Sequence, residues 1–286
     1  MHTFIVSEAT TTSAWAAACR AMDLSAKERP TVARGRAPEA FHTVVRITNA
    51  AADDAEFRRE LDRVRSHLKC SHPVETVANT VFPYRLAATS KDPRSLAERY
   101  RAMYPQLRSM DAGNRFGTYF GRIVAYPGAK GSVDQLNTLI DRLTSQAART
   151  GPLSAAYELD IAHPSDAEEE LPTTPEEQET GPEATSIPVP VHAAGTDNLV
   201  RGFPCLSHCS FQIDRTRTLH MTAHYRSHYM LERAYGNYLG LGRLQSYLAE
   251  QTGLAHGTLT VTAGHAQIEK GISLIRPMIS QINRLF

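Results

Sequence analysis

The chain has 286 residues, a formal charge of +1 and an apolar fraction of 42 %. That length buries a full core as one large or two small domains. The near-zero charge excludes a global field that would gather nucleic acid or a membrane surface. The four cysteines, Cys19, Cys70, Cys205 and Cys209, are sparse and fit free thiols in a reducing compartment. No charged segment followed by an apolar stretch opens the chain, and no apolar run is long enough to span a bilayer. The expectation is a cytoplasmic protein with neither nucleic acid nor membrane as partner.

Phe4 to Ser7 reads as a short strand and Thr12 to Met22, rich in Ala, as a helix. Residues 25–40 carry Pro30, Gly35, Pro38 and several arginines and read as a basic loop. The β-branched run His42 to Thr48 predicts a buried strand. Asp53 to Leu68 predicts an amphipathic helix, with Phe57, Leu61, Val64 and Leu68 at three- and four-residue steps. From Pro73 to Pro83 a second helical segment surrounds a single carboxylate, Glu75, with Val, Ala and Phe. Pro73 suits a first turn and Pro83 a stop. A half-buried carboxylate is either paired or raised in pKa, and in the second case it can act as an acid or base.

Asn114 to Arg122 reads as a loop or strand start punctuated by Gly117 and Gly121. Asp134-Gln135 opens a helix through Thr144, and Ser154 to Ile161 predicts a strand. Residues 163–196 change character: Glu168 to Glu170, Glu176, Glu177 and Glu179 stand among Pro and Thr with almost no large apolar residue. Such a stretch buries too little surface to offset its ordering entropy. It reads as a mobile acidic insertion within one domain over 1–286. Strands follow at 204–213 and Leu219 to Tyr225. A helix is predicted from about Ser227 to Thr252, with a break near Gly236 and Gly253 as its C-cap. Gly236 and Gly240, one helical turn apart, permit close helix packing. Leu259 to Thr262 predicts a strand, and Ile272 to Phe286 a helix interrupted near Pro277.

The informative stretch is Gly202 to Glu269. Pro204-Cys205 opens a strand, Tyr225-Arg226-Ser227 lies on the next, Asn237 follows eleven residues after Arg226, and Glu250-Gln251-Thr252-Gly253-Leu254 ends a helix. This ordered set resembles the thymidylate synthase family, including its pyrimidine nucleotide hydroxymethylases. There Pro-Cys-His starts the nucleophile strand, Gln-Arg-Ser ends the following one, an Asn comes eleven residues after the Arg, and Gln-Gln-Thr-Gly-Leu closes a helix. Tyr119-Phe120-Gly121-Arg122 and Asp134-Gln135 resemble two further family motifs. The resemblance is clear over about 202–266 and weak over 70–160. It implies an α/β (α+β) fold, a twisted mixed sheet flanked by helices, dimerising sheet to sheet.

The chemistry implied is covalent. A thiolate adds to C6 of a pyrimidine, C5 becomes nucleophilic, and a one-carbon unit is transferred to it from 5,10-methylenetetrahydrofolate as methyl or hydroxymethyl. Carried onto this chain, Cys205 is the nucleophile, Arg226 lowers its pKa and with Ser227 holds a phosphate, and Glu75 handles protons and water. Asn237 reads the ring, because an amide offers one donor and one acceptor. Gln267, Glu269 and His208 stand as further substrate contacts, Tyr229 and His228 as cofactor contacts.

Departures bear on the product. The family's Cys-His is Cys205-Leu206, and its Arg-Ser-x-Asp is Arg226-Ser227-His228-Tyr229. Its sugar-binding His and Tyr are Gln267 and Glu269, and its Ser-Arg-Arg is Ser154-Ala155-Ala156. Two phosphate cations are missing unless Arg149, Arg34 or Arg36 replaces them. The only tryptophan is Trp15, and the family's closing C-terminal tail is lacking, which favours water as the final nucleophile and a hydroxymethylated product. Two other readings stand beside this one. Cys205, His208 and Cys209 with His220, His224 and His228 invite a metal, but two cysteines with only three residues between them on a strand make no tetrahedral knuckle, so no metal is expected. A catalytically lapsed nucleotide-binding or regulatory protein would keep the same fold.

Overall fold

Two long strands at the centre of the sheet carry Arg226, Ser227, His228, Tyr229 and Gln267. The computed structural model describes residues 3–28, 37–110, 114, 116–167, 191–195, 197 and 202–282. Among the described residues eight strands run in chain order: β1 (Ile5–Glu8), β2 (Glu39–Ile47), β3 (Tyr126–Gly128), β4 (Gly131–Val133), β5 (Tyr157–Asp160), β6 (Leu206–Ile213), β7 (Thr218–Tyr229) and β8 (Ala255–Gln267). Six form one mixed sheet in the order β1-β2-β8-β7-β6-β5, parallel at β1/β2 and β7/β8 and antiparallel elsewhere, while β3 and β4 form a separate hairpin.

The helices are α1 (Thr11–Glu28), α2 (Ala55–His67), α3 (Val74–Val81), α4 (Tyr84–Ala88), α5 (Pro93–Met110), α6 (Tyr119–Val124), α7 (Gln135–Ala147), α8 (Tyr235–Thr252) and α9 (Ile272–Gln281). Alternate strand residues (Leu259, Val261 and Ala263 on β8, Leu219, Met221 and Ala223 on β7, Cys209 and Phe211 on β6) are buried beneath them. The other set includes the exposed Arg46, Glu158, Asp160 and His224. This is the period-two partition of a sheet covered on one face.

Helix α8 is the axle. It is buried almost all round, from Tyr235 through Thr252, and reaches the α3 backbone through glycine. A Cβ on Gly236 would lie 2.6 Å from Val77 Cβ, and one on Gly240 would lie 2.6 Å from the Ala78 carbonyl oxygen. The close packing expected from the two glycines is present. Gly253 ends the helix at φ 68° as the expected C-cap.

Several expectations need correction. Helix α1 runs on to Glu28, held by Lys27 to Asp23 at 2.7 Å, so the start of the basic loop is helical. Arg34 and Arg36 lie outside the described residues, as does most of the acidic insertion; its beginning, Pro164–Ala167, is a 3-10 turn. Residues 119–124 are helical, not a strand start, because the Thr118 hydroxyl caps Gly121 N. Strand β7 continues to Tyr229 by pairing with β8, so the following helix starts later than its polar pattern suggests. Helix α9 passes through Pro277. It is held to α1 by Arg276 on Asp23 and by Arg20 on the Ile279 carbonyl.

Candidate active site

Between β7 and α8 the chain makes one turn of π-helix, Met230–Ala234. Such segments leave backbone groups without regular partners, and a buried group left so costs free energy. Three side chains supply the partners. Trp15 Nε1 donates to Met230 O at 2.7 Å, and Arg65 Nη1 to Leu231 O at 2.5 Å. Glu269 accepts from Leu231 N at 3.2 Å and Glu232 N at 2.5 Å. The turn is therefore fixed, and it aims Arg233 into a cavity.

That cavity, of about 840 Å³, lies between α3, α5, Asn114, residues 116–119, residues 202–205 and the end of β7. Its wall brings together Cys205, Ser227, His228, Tyr229 and Asn237 from the predicted set. Ser227, His228 and Tyr229 arrive because β7 ends here; Asn237 arrives from the first turn of α8. Leu86, Met103, Leu107, Phe116 and Phe203 form an apolar side, with Arg85 also on the wall. Neither Arg85 nor Arg233 has an ion-pair partner among the described residues. The volume is in the range of ligand pockets, and the wall offers an apolar side together with two cations.

Cys205 is half-buried and its thiol donates to Gly202 O at 2.8 Å. Burial pushes the thiol up; the positive charge of Arg226, then that of Arg233, pulls it down without overcoming burial. Arg226 reaches over from β7, with Nε donating to Pro204 O at 2.8 Å. Tyr119, buried beside Cys205, has its phenol within 3.4 Å of Leu206 N, and burial raises its pKa. The side chains of Arg233, Arg85, Asn79 and Tyr119 were given no role by the sequence. Tyr119 stood in a quoted motif. Arg233 could not be phased, because the π turn breaks the helical period.

Five predicted residues do not line the cavity: Arg226, which is exposed and reaches Pro204 O and Cys205 at its edge, and four that lie elsewhere. Glu75 faces away from the cavity wall that its neighbours Thr76 and Asn79 line. Arg243 clamps it at 2.8 and 2.9 Å and Arg58 at 2.7 Å. These cations, Arg243 foremost through its hydrogen bonds, hold its carboxyl below the usual value. Glu269 is spent on the π turn. Gln267 pairs with Tyr229 and Glu39 in the sheet. His208 is on the outer sheet face, between Asp160 at 2.8 Å and Glu158 at 2.6 Å. Trp15 is buried under the π turn, against Phe57 and Tyr235. Arg149, and Ala156 with its φ of 86°, do not line the cavity either. Among the described residues no three His, Cys, Asp or Glu side chains group as metal ligands, and no helix is long and apolar enough to cross a membrane.

The Glu75 clamp has a pH signature. A carboxylate whose folded pKa is depressed stabilises the fold above its unfolded pKa, and the effect is lost as pH falls through the folded value. With its side chain 30 % exposed, solvent screening limits the clamp to about 1 kcal/mol. Glu75→Gln is expected to lower urea stability by that amount at pH 7. The difference should shrink toward zero below the ordinary glutamate value of 4.5. Equal losses at both pH values would show that the charge is not the source.

No protein-family model matches the chain, and no curated protein matches it. Its structure is similar to the crystal structure of thymidylate synthase from T4 phage, with a TM-score of 0.46 and 13 % identity, over 85 % of this chain and 71 % of that one.

Proposed function

We propose that the protein is a transferase that adds a one-carbon unit to C5 of a pyrimidine nucleotide or nucleoside. One observation carries the reading: the Cys205 thiol shares a cavity with Asn237, Ser227 and Arg233. Cys205 gives up its proton and its sulfur bonds to C6 of the ring. The C5=C6 electron pair moves through C5 toward the C4 oxygen, leaving C5 nucleophilic. After C5 has bonded to the one-carbon unit, loss of the C5 proton to solvent lets the unit's carrier depart, and addition of water or hydride to the resulting exocyclic methylene restores the C5=C6 bond and expels the thiolate. Arg226 and Arg233 stabilise the thiolate as it forms, and Arg233 and Ser227 bind the anionic part of the substrate. Proton transfer is not assigned to Glu75.

A methylenetetrahydrofolate bound against Leu86, Met103, Leu107 and Tyr229 would supply the one-carbon unit. The product is hydroxymethyl if water reaches the added carbon, which a site lacking tryptophan on its wall favours. The exposed sheet face bearing Arg46, His224 and Glu158 is the face through which two copies would pair, a point for light scattering.

Saturating dUMP, UMP, dCMP or CMP is expected to slow alkylation of Cys205 by iodoacetamide at least about tenfold if one of them occupies the cavity. The half-buried Cys70 serves as the unprotected control. Arg233→Met should weaken that protection and also slow alkylation of the ligand-free thiol. No protection by any of the four would count against a nucleotide site. The raised thiol of Cys205 favours the second reading, a nucleotide-binding protein that has lost catalysis; protection without turnover would select it.

A further inference from the structure

His228 was expected to touch a cofactor. It stands in the cavity wall and is only 2 % exposed. Its ring stacks on Tyr225 at 4.3 Å and 10°, with Tyr238 edge-on at 5.4 Å. Burial alone drives its pKa down to about 3, so the ring is neutral across the physiological range. A neutral imidazole has one N–H and one bare nitrogen. Asn237 Nδ2 is 3.1 Å from His228 Nε2. An amide nitrogen can only donate, so Nε2 is the bare nitrogen and the proton sits on Nδ1.

That assignment has a consequence for Asn237, itself 3 % exposed. One Nδ2 hydrogen is committed to His228, and Oδ1 is buried without any partner. Leaving a buried acceptor unpaired is unfavourable, and Asn237 lines the cavity from which a donor can come. We infer that His228 is a positioning residue that fixes the Asn237 amide with its oxygen reserved for a ligand N–H. The second Nδ2 hydrogen remains for an adjacent carbonyl. The site then takes a ring presenting an N–H next to a C=O, a lactam or imide such as uracil. It disfavours a ring with a bare nitrogen next to an amino group, as in cytosine. The choice of ring rests on the nucleotide reading above; the amide orientation does not.

Two measurements separate them. In ¹⁵N-histidine-labelled ligand-free protein, long-range ¹H–¹⁵N correlations, with His228 identified by its loss in His228→Gln, should show Nε2 bare and Nδ1 protonated from about pH 5 to 8. A proton on Nε2 overturns the inference, because Oδ1 would then be the committed atom. Calorimetry with dUMP, UMP, dCMP and CMP follows. Wild type should prefer uracil over cytosine by at least about tenfold. His228→Phe, which keeps the stack but offers no acceptor, should lose most of that preference. His228→Gln, whose side-chain oxygen can accept from Asn237, should retain it. An unchanged preference in a folded His228→Phe overturns the positioning role. Failure of all four nucleotides to bind overturns the ring class and the function reading together, while the tautomer still decides the amide orientation.

Discussion

Gly240→Ala is expected to destabilise the protein by about 3 kcal/mol, at the upper end of what overpacking a core costs. Helix propensity alone points the other way, since Ala in place of an interior Gly gains about 1 kcal/mol. The packing decides the sign. The new Cβ would stand 2.6 Å from the Ala78 carbonyl oxygen and 2.8 Å from Val81 Cβ. A backbone oxygen has no rotamer to turn away, so α3 must move off α8. Thr76, Asn79 and Thr80 of α3 line the cavity, so ligand affinity should fall with stability. Gly253→Ala is the contrast: nothing lies within 4 Å of its Cβ, and only the left-handed backbone at φ 68° opposes it, at about 1 kcal/mol. Urea unfolding of the two variants measures both. A neutral Gly240→Ala would mean that α3 and α8 are further apart than described.

Cys205→Ala is expected to abolish turnover, by about 10⁴-fold or more as for loss of other nucleophiles, while leaving the fold intact. The side chain is half-buried on the cavity wall, with its thiol donating to Gly202 O and accepting from Arg226. Removing a sulfur at a surface open to the cavity leaves no closed void, so the melting temperature should barely move. Nucleotide binding should persist, because Asn237, Ser227 and Arg233 remain. Cys209→Ala should do the reverse. That thiol is fully buried within β6, and its loss costs stability without touching the chemistry. A Cys205→Ala protein that turns over substrate would remove the covalent step from the account.

The sheet was legible because its strands follow simple patterns. Leu219 to Tyr225 and Leu259 to Thr262 alternate or run β-branched, and turn residues separate them. Their full lengths were not, because Arg226 to Tyr229 and Gly264 to Gln267 are polar and are held as strand by each other's backbone across β7 and β8. The site was legible where motif order fixed it. Cys205, Ser227 and Asn237 converge although 32 residues separate the first from the last. It was illegible where direction mattered. Glu75 was read as a lone carboxylate among apolar neighbours because Arg243, its main partner, is 168 residues away. Glu269 was read as a sugar contact because nothing in the sequence announces a π turn needing an acceptor for its N–H groups.

The central claim, that Cys205 activates C5 of a pyrimidine, is tested most directly by release of tritium from [5-³H]-labelled dUMP, UMP, dCMP and CMP, with and without methylenetetrahydrofolate. The account predicts release from at least one uracil nucleotide by the wild-type protein, and none by Cys205→Ala. No release from any of the four by wild-type protein, or equal release by both proteins, would contradict it.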